Sequence, residues 1–229
     1  MAAAMAPDSV AKGISIDVDG TLYRVERMRV AWRMRHHRGL LLALLTAREK
    51  LRHESPFESQ FALEQREAEL VAPAFGMSIP EAGAALASLR EALPAALTEG
   101  HRPYFGVRSA LEAAHARGLK IAVLSDYDPV EKLKCLGLDD LPWSAALGAE
   151  QMGVLKPHPR AFHELAKAMD LPRQAIVHVG DREDLDVRGA LSAGLRAWRF
   201  AGSHMVRTRA EYLFTQWRMP LFRPLWQHP

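Results

Sequence analysis

There is one cysteine in 229 residues, Cys135, so no disulfide framework holds this chain and nothing in it calls for an oxidising compartment. Long apolar runs are missing as well. The longest plain aliphatic stretch is Leu40–Leu45, against the roughly 20 residues a membrane-spanning helix needs. Residues 1–13 lack a basic stretch followed by an apolar one, so no secretory leader is expected, and the reading is a cytoplasmic protein with no membrane partner. Excess charge of one sign is small: 30 basic against 27 acidic residues leave +3, which does not by itself imply nucleic acid. Lysine is scarce, supplying 7 of the 30 basic residues. What is present is a 48% hydrophobic, 25% charged chain, the balance of a soluble globular protein rather than a disordered one. Its length suits one large domain, or a core with a modest insertion, and can bury a substantial core unaided.

Short β-branched and apolar runs recur along the chain. Gly13–Val18 ends in Asp-Gly and reads as a strand followed by a turn; Lys120–Ser125, Ala175–Gly180 and Leu195–Phe200 are of the same kind, and Ser144–Ala149 is a weaker candidate. Helical patterns separate them. Ser109–Arg117 is closed by Gly118; Pro129–Leu136 has Asp128 as N-cap; Pro159–Met169 and Asp186–Ala193 follow, the last closed by Gly194. Strands alternating with helices of this length imply a parallel sheet covered on both faces. Residues 23–104 interrupt the rhythm and hold no convincing strand. Glu49–Glu69 is acidic and helix-like, and Ala82, Ala85, Leu86, Leu89, Leu93, Ala96 and Leu97 recur at helical spacing, with Pro94 expected to kink or end that helix early. A helical module of about eighty residues is therefore expected after the first strand.

Four clusters fall at or just past the ends of expected strands, where open parallel sheets place their sites. The first is Asp17-Val18-Asp19-Gly20-Thr21. Residues two apart in an extended segment point the same way, so Asp17 and Asp19 can share one site before the chain turns at Gly20. Two carboxylates can divide the work of nucleophile and general acid/base, and they repel unless a cation lies between them. The second is Ser125, whose hydroxyl can donate to an anionic oxygen. The third is Lys156-Pro157, a point charge suited to a phosphoryl oxygen. The fourth, Gly180 to Asp186, carries Asp181, Asp184 and Asp186, hard oxygen ligands that suit Mg²⁺. Each cluster alone also reads as a turn, a cap or a loop. Their occurrence together, in order, at successive strand ends is far more specific.

In this form the pattern resembles the haloacid dehalogenase superfamily. Ile16-Asp17-Val18-Asp19-Gly20-Thr21-Leu22 resembles its first motif, Val123-Leu124-Ser125 the second, Lys156-Pro157 the third, and Val179-Gly180-Asp181 through Asp186 the fourth, in the form GDxxxxD. The resemblance runs from about residue 13 to 200, and the helical insertion is similar to that of the phosphoglycolate phosphatase-like subgroup. It implies a Rossmann-like, doubly wound parallel-sheet core from residues 1–22 and 105–229, an inserted α-helical cap from 23–104, and Mg²⁺-dependent phosphoryl transfer.

Carried over by residue, the resemblance implies Asp17 as nucleophile and Asp19 as the group that protonates the leaving oxygen and then deprotonates water. Ser125 would hydrogen-bond the phosphoryl group and Lys156 would neutralise charge. Asp17, the backbone carbonyl of Asp19, and Asp181 would hold Mg²⁺, with Asp186 preferred over Asp184 on spacing to complete the shell. Gly20, Thr21 and Asp126 stand as substrate-binding candidates. Asp19 favours phosphate esters over halides, because a halide leaving group needs no proton. Two departures stand out. Asp126 occupies a position where many relatives carry Asn, and a negative charge beside a phosphate is unfavourable unless it turns away, toward the cap or the substrate. Arg182 replaces a commoner small polar residue.

Other features read more plainly. The basic run Arg33–Arg38 is taken as a solvated helix face, Cys135 as core, and His178 as a packed histidine inside a strand. The last 32 residues crowd Trp198, Phe200, Tyr212, Phe214, Trp217, Phe222 and Trp226 among Pro220, Pro224 and Pro229. This tail is expected to wrap onto its own core, with a homodimer arm as the alternative. The reading is thus a Mg²⁺-dependent phosphatase acting on a small phosphorylated metabolite. The alternatives are a phosphomutase of the same family or a non-catalytic binding or regulatory protein on the same fold. Nucleic acid is set aside as a partner.

Overall fold

A computed structural model describes residues 10–203, 205–218, 221–222 and 225. Six strands are found among them: β1 (Gly13–Ile16), β2 (Lys120–Ser125), β3 (Trp143–Gly148), β4 (Ile176–Gly180), β5 (Arg196–Phe200) and β6 (Tyr212–Phe214). They form one parallel sheet in the order β3-β2-β1-β4-β5-β6. β1 is central, with Ile14 level with Ile121 on one side and Val177 on the other. Strands buried on both faces lose the polar alternation of a half-exposed sheet, which is why the runs GISI, KIAVLS and IVHVG are so uniformly apolar.

The period of two still divides the core. β2 sends Ile121 and Val123 to one face, where they pack with Leu111, Leu133 and the aromatics Trp198, Phe200 and Trp217. It sends Ala122 and Leu124 to the other, against Phe162, Leu165 and Ala190. Helices α5 (Val107–Ala116) and α6 (Val130–Cys135) contribute to the first layer, and α7 (Pro159–Ala168) and α8 (Arg188–Ser192) to the second.

Residues 23–104 hold no strand, as expected, but four helices, α1 (Arg27–Arg33), α2 (Arg38–Glu54), α3 (Gln60–Phe75) and α4 (Ile79–Thr98), with one isolated bridge pairing Tyr23 and Pro103 at the two ends. (Numbering therefore runs α1–α4 in the insertion and α5–α8 in the core.) They share their own core of Val30, Met34, Leu44, Val71, Leu86 and Leu89. The insertion leaves and re-enters the core at adjoining points, where the N–H of Tyr104 donates to the carbonyl of Leu22 at 2.9 Å. A second seam joins it to the core further on. Phe57 N–H donates to Gly153 O at 2.8 Å, and Leu155 packs with Leu51 and Leu63.

Some expectations are corrected and others hold. Pro94 does not end α4, which continues to Thr98; Leu93 and Ala96 on either side of it are buried, and Thr98 Oγ1 donates to Pro94 O at 2.7 Å. The Glu49–Glu69 segment is two helices, broken between Glu54 and Gln60, and Ser59 caps the second by accepting from Ala62 N–H at 3.2 Å. Cys135 is exposed: α6 turns Lys132, Leu133 and the following Leu136 inward, and Cys135 lies off that face. The basic run is solvated but is not a helix face: residues 34–37 form the turn between α1 and α2, exposed apart from Met34, and the half-buried Arg33 pairs with Glu99 at 2.8 Å. The tail adds the edge strand β6, unforeseen in the sequence, and buries Trp217, Phe222 and Leu225 in the core of the same chain. Trp226 and the three prolines lie outside the described residues. Among the described residues no single helix is long and apolar enough to cross a membrane.

Candidate active site

The loops after β1, β2 and β4 meet at the carboxyl ends of the central strands, at the point where strand order reverses. Asp17 follows β1 directly, and its backbone N–H still donates to Val179 O at 2.9 Å, so its carboxylate is held by the sheet. Lys156 Nζ donates to Asp17 Oδ1 and to Asp186 Oδ1, at 2.6 Å each. Asp17, Asp181 and Asp186 present oxygens that all lie within 4.8 Å of one another. Thr21 Oγ1 donates to Asp17 Oδ2 at 3.1 Å, and the Arg182 N–H donates to Asp186 Oδ2 at 3.0 Å. At Gly20, φ is +91°, and a Cβ there would stand 2.5 Å from Asp181 Oδ2, so the turn and the close approach of the carboxylate both require glycine.

Charge is unevenly distributed in this cluster. Burial pushes the Asp17 carboxyl well above its ordinary range; Lys156 opposes the rise, while Asp186, Asp181 and Asp19 add to it. Asp181 is pushed up to about 6, by burial and then by Asp186. Asp186 goes the other way: burial would raise it, but Lys156 and then His178 hold it well below the usual carboxylate range. Burial also works against the Lys156 ammonium, and Asp17 and Asp186 outweigh it, so the lysine stays charged. The preferred ion pair is Lys156 with Asp186, and Asp17 and Asp181 are the carboxyls whose ionisation needs further positive charge.

His178 is buried, as expected, yet it touches this cluster. Its Nε2 lies 3.4 Å from Asp186 Oδ1 and its Nδ1 2.7 Å from Ser15 Oγ. A carboxylate accepts from the ring, so the proton belongs on Nε2 and Ser15 donates to Nδ1. Burial lowers the imidazole below its ordinary value, against the pull of Asp186.

Asp19 has both oxygens engaged. Tyr23 Oη donates to Oδ1 at 2.5 Å, and the ammonium of Lys132 pairs with Oδ2. Lys132 is fully buried. Ser125 ends β2 and is buried. Asp126 turns to the helical insertion: its Oδ2 pairs with Arg52 of α2 at 2.8 Å, while Oδ1 accepts from the Lys156 N–H at 2.8 Å. Burial would raise Asp126, but Arg52 and then Lys156 bring it below its ordinary value. Asp184 lies apart from the cluster, exposed and paired with Arg182 at 2.6 Å.

All the candidate residues except Thr21 and Asp184 line one cavity of about 1670 Å³ between the sheet and the insertion; Thr21 is buried. Three neighbours were not anticipated from the sequence: Lys132 and Tyr23 on Asp19, and Arg52 on Asp126. Tyr23 stands four residues from Asp19 and Lys132 is one of few lysines, but no local pattern ties either to the aspartate.

A family model described as haloacid dehalogenase-like hydrolase matches residues 11–194. The chain is 36% identical over 128 residues to the phosphoserine phosphatase of Thermus thermophilus, an alignment covering 54% of this chain and 51% of that protein. It is 32% identical over 94 residues to the glyceraldehyde 3-phosphate phosphatase of Pyrococcus abyssi, covering 40% and 39%. The chain thus spans about half or less of the length of the curated relatives it matches. Among solved structures, the magnesium-bound HAD hydrolase YfnB of Bacillus subtilis superposes with a TM-score of 0.65 at 14% identity, over 94% of this chain and 98% of that one, a likeness of fold.

Proposed function

The chain belongs to the haloacid dehalogenase-like hydrolases, and on that premise we propose that it is a Mg²⁺-dependent phosphatase that hydrolyses a small phosphate monoester through an aspartyl-phosphate on Asp17. The observation that carries this reading is the seating of Lys156 between Asp17 and Asp186, 2.6 Å from each, with Asp181 in the same cluster. The names of the phosphoserine and glyceraldehyde 3-phosphate phosphatases support an ester as substrate. So does Asp19, since an alkoxide leaving group needs a proton and a halide does not. In this reading residues 23–104 form a cap over a core of 1–22 and 105–229.

The donor set fits Mg²⁺: three carboxylates offer hard oxygens within 4.8 Å of one another, and the burial and then the like charge that raise Asp17 and Asp181 are both offset by a divalent cation. Asp17, the Asp19 carbonyl and Asp181 would hold it, with Asp186 completing the set directly or through water. When bound, the ion supplies charge neutralisation at the nucleophile and the phosphoryl oxygens.

The chain's own residues then divide the chemistry. An oxygen of Asp17 bonds to phosphorus as the phosphorus–ester oxygen bond breaks, and Asp19, which takes up a proton from solvent as it lets go of Lys132, gives that proton to the departing alcohol. Asp19 next takes a proton from water, whose oxygen bonds to phosphorus as the Asp17–phosphorus bond breaks and phosphate leaves. To reach either partner, Asp19 must loosen its hold on Tyr23 or Lys132. Lys156 stabilises the charge on Asp17 and the phosphoryl group, and Ser125 donates to the latter. Asp126 spends its charge on Arg52, which relieves the repulsion its position would otherwise create.

Phosphate release from p-nitrophenyl phosphate, with and without Mg²⁺, tests the reading. The expected result is metal-dependent turnover that falls by about a thousandfold or more in Asp17→Asn. Undiminished turnover in that variant would remove Asp17 as nucleophile.

A further inference from the structure

At about 1670 Å³, the cavity over the carboxylates exceeds the roughly 300–1,000 Å³ of ordinary small-molecule sites. Its charged part is the cluster described above together with arginines on its walls, among them Arg24, Arg27, Arg38, Arg199 and Arg218. Another part of its lining is apolar: Leu41, Leu42 and Leu45 on α2, Leu93 and Leu97 on α4, and Phe105 where the chain re-enters the core. Leu42, Leu45 and Phe105 are 55%, 48% and 97% exposed. Leu93 is buried, and Leu41 and Leu97 pack against the insertion's own core, but Leu42, Leu45 and Phe105 stand outside that packing. The buried face of α2 is Leu44, Ala47, Arg48 and Leu51, a complete stripe at helical spacing. The run Leu40–Leu45 therefore serves two faces, one sealing the helices together and one left to the cavity. A short polar ester bound at the aspartates would leave this second face in water, whereas an apolar alcohol moiety would cover it.

We propose that the substrate is a phosphate monoester of a bulky apolar alcohol, with the phosphoryl group at Asp17 and the alcohol portion against Leu42, Leu45 and Phe105. This rests on the phosphatase reading above and narrows its substrate class. A non-polar leaving group also explains how one site can be both highly charged and lined with exposed leucines: the two regions serve the two ends of one amphiphilic molecule.

The test is a series of n-alkyl phosphates from ethyl to hexyl, kept below their micellar concentrations. Their alcohols are nearly equal in acidity, so a change in kcat/KM along the series reports contact with the chain rather than ease of departure. The expected result is a rise of roughly fourfold per methylene. Leu42→Asp and Leu45→Asp, both at exposed positions, are each expected to lower the hexyl-to-ethyl ratio by about tenfold or more. Phe61→Asp, equally apolar and 74% exposed but outside the cavity, is expected to leave that ratio unchanged. Turnover of ethyl phosphate with a flat or falling series overturns the substrate class and leaves the phosphatase reading standing. No metal-dependent turnover of ethyl, hexyl or p-nitrophenyl phosphate overturns the phosphatase reading itself. A shift from dimer to monomer in Leu42→Asp on gel filtration, with the alkyl slope intact, assigns the leucines to a second copy of the chain and also overturns the proposal.

Discussion

Lys132 has no surface in water, and its ammonium rests on Asp19, a carboxylate 28% exposed. An ammonium buried without a partner is costly, so the pair is asymmetric: removing the acid strands the base. Asp19→Asn is expected to destabilise the fold by on the order of 2–4 kcal/mol, the lower part of the range for a broken buried pair because Asp19 keeps some contact with solvent. Adding Lys132→Met is expected to restore most of that loss, and urea unfolding of the two single variants and the double variant measures the coupling. Asp126 yields a pH prediction. Its carboxyl lies below the ordinary value of 3.8 because Arg52 and Lys156 outweigh the effect of burial. The stability this contributes is complete above that value and is lost as pH falls through the lower folded value. Melting temperature is therefore expected to fall less steeply in acid for Asp126→Asn than for wild type.

At the scale of elements, α2 ties the insertion to the core. Arg48 pairs with Glu67 of α3 and with Glu150 after β3, and Arg90 of α4 joins Glu67 from the far side. Arg52, one turn along, pairs with Asp126 and donates to the Lys156 carbonyl. Glu67 is wholly buried between two arginines, so Glu67→Gln is expected to cost about 3–5 kcal/mol, read from the midpoint of chemical denaturation. The helices themselves were legible in spacing and composition. Their boundaries were less so. Ser55-Pro56 and the cap Ser59 mark the α2–α3 break, which the acidic composition of the segment masked, and Pro94 gave a stop signal that the packing of Leu93 and Ala96 overrode.

Taken whole, the molecule closes on itself through its tail. The Trp217 indole N–H donates to Thr21 O at 3.1 Å, placing the segment 205–218 against the loop that carries Asp17 and Asp19. Trp217 also crowds Gly106, where φ is +90° and a Cβ would lie 2.0 Å from the Trp217 carbonyl oxygen. Gly106→Ala is expected to lift this segment away, seen as a red shift of tryptophan emission and faster proteolysis within residues 205–218. Retention of the wild-type spectrum and cleavage rate would contradict that packing.

The sequence by itself determined the parallel sheet, the helical insertion and the positions of Asp17, Asp19, Ser125, Lys156, Asp181 and Asp186, because each depends on a local signal: apolar runs, turn residues, and side chains at strand ends. Of the two later acids in that segment, Asp186 lies with Asp17 and Asp181, and Asp184 is exposed. Tertiary structure alone decided what those residues touch. Lys132 reaches Asp19 across 113 positions of sequence, and Arg52 reaches Asp126 from another layer of the fold. The edge strand β6 forms only because β5 is there to pair with it. Contacts of this kind arise from packing between elements distant in sequence, and no periodicity along the chain records which partners that packing brings together.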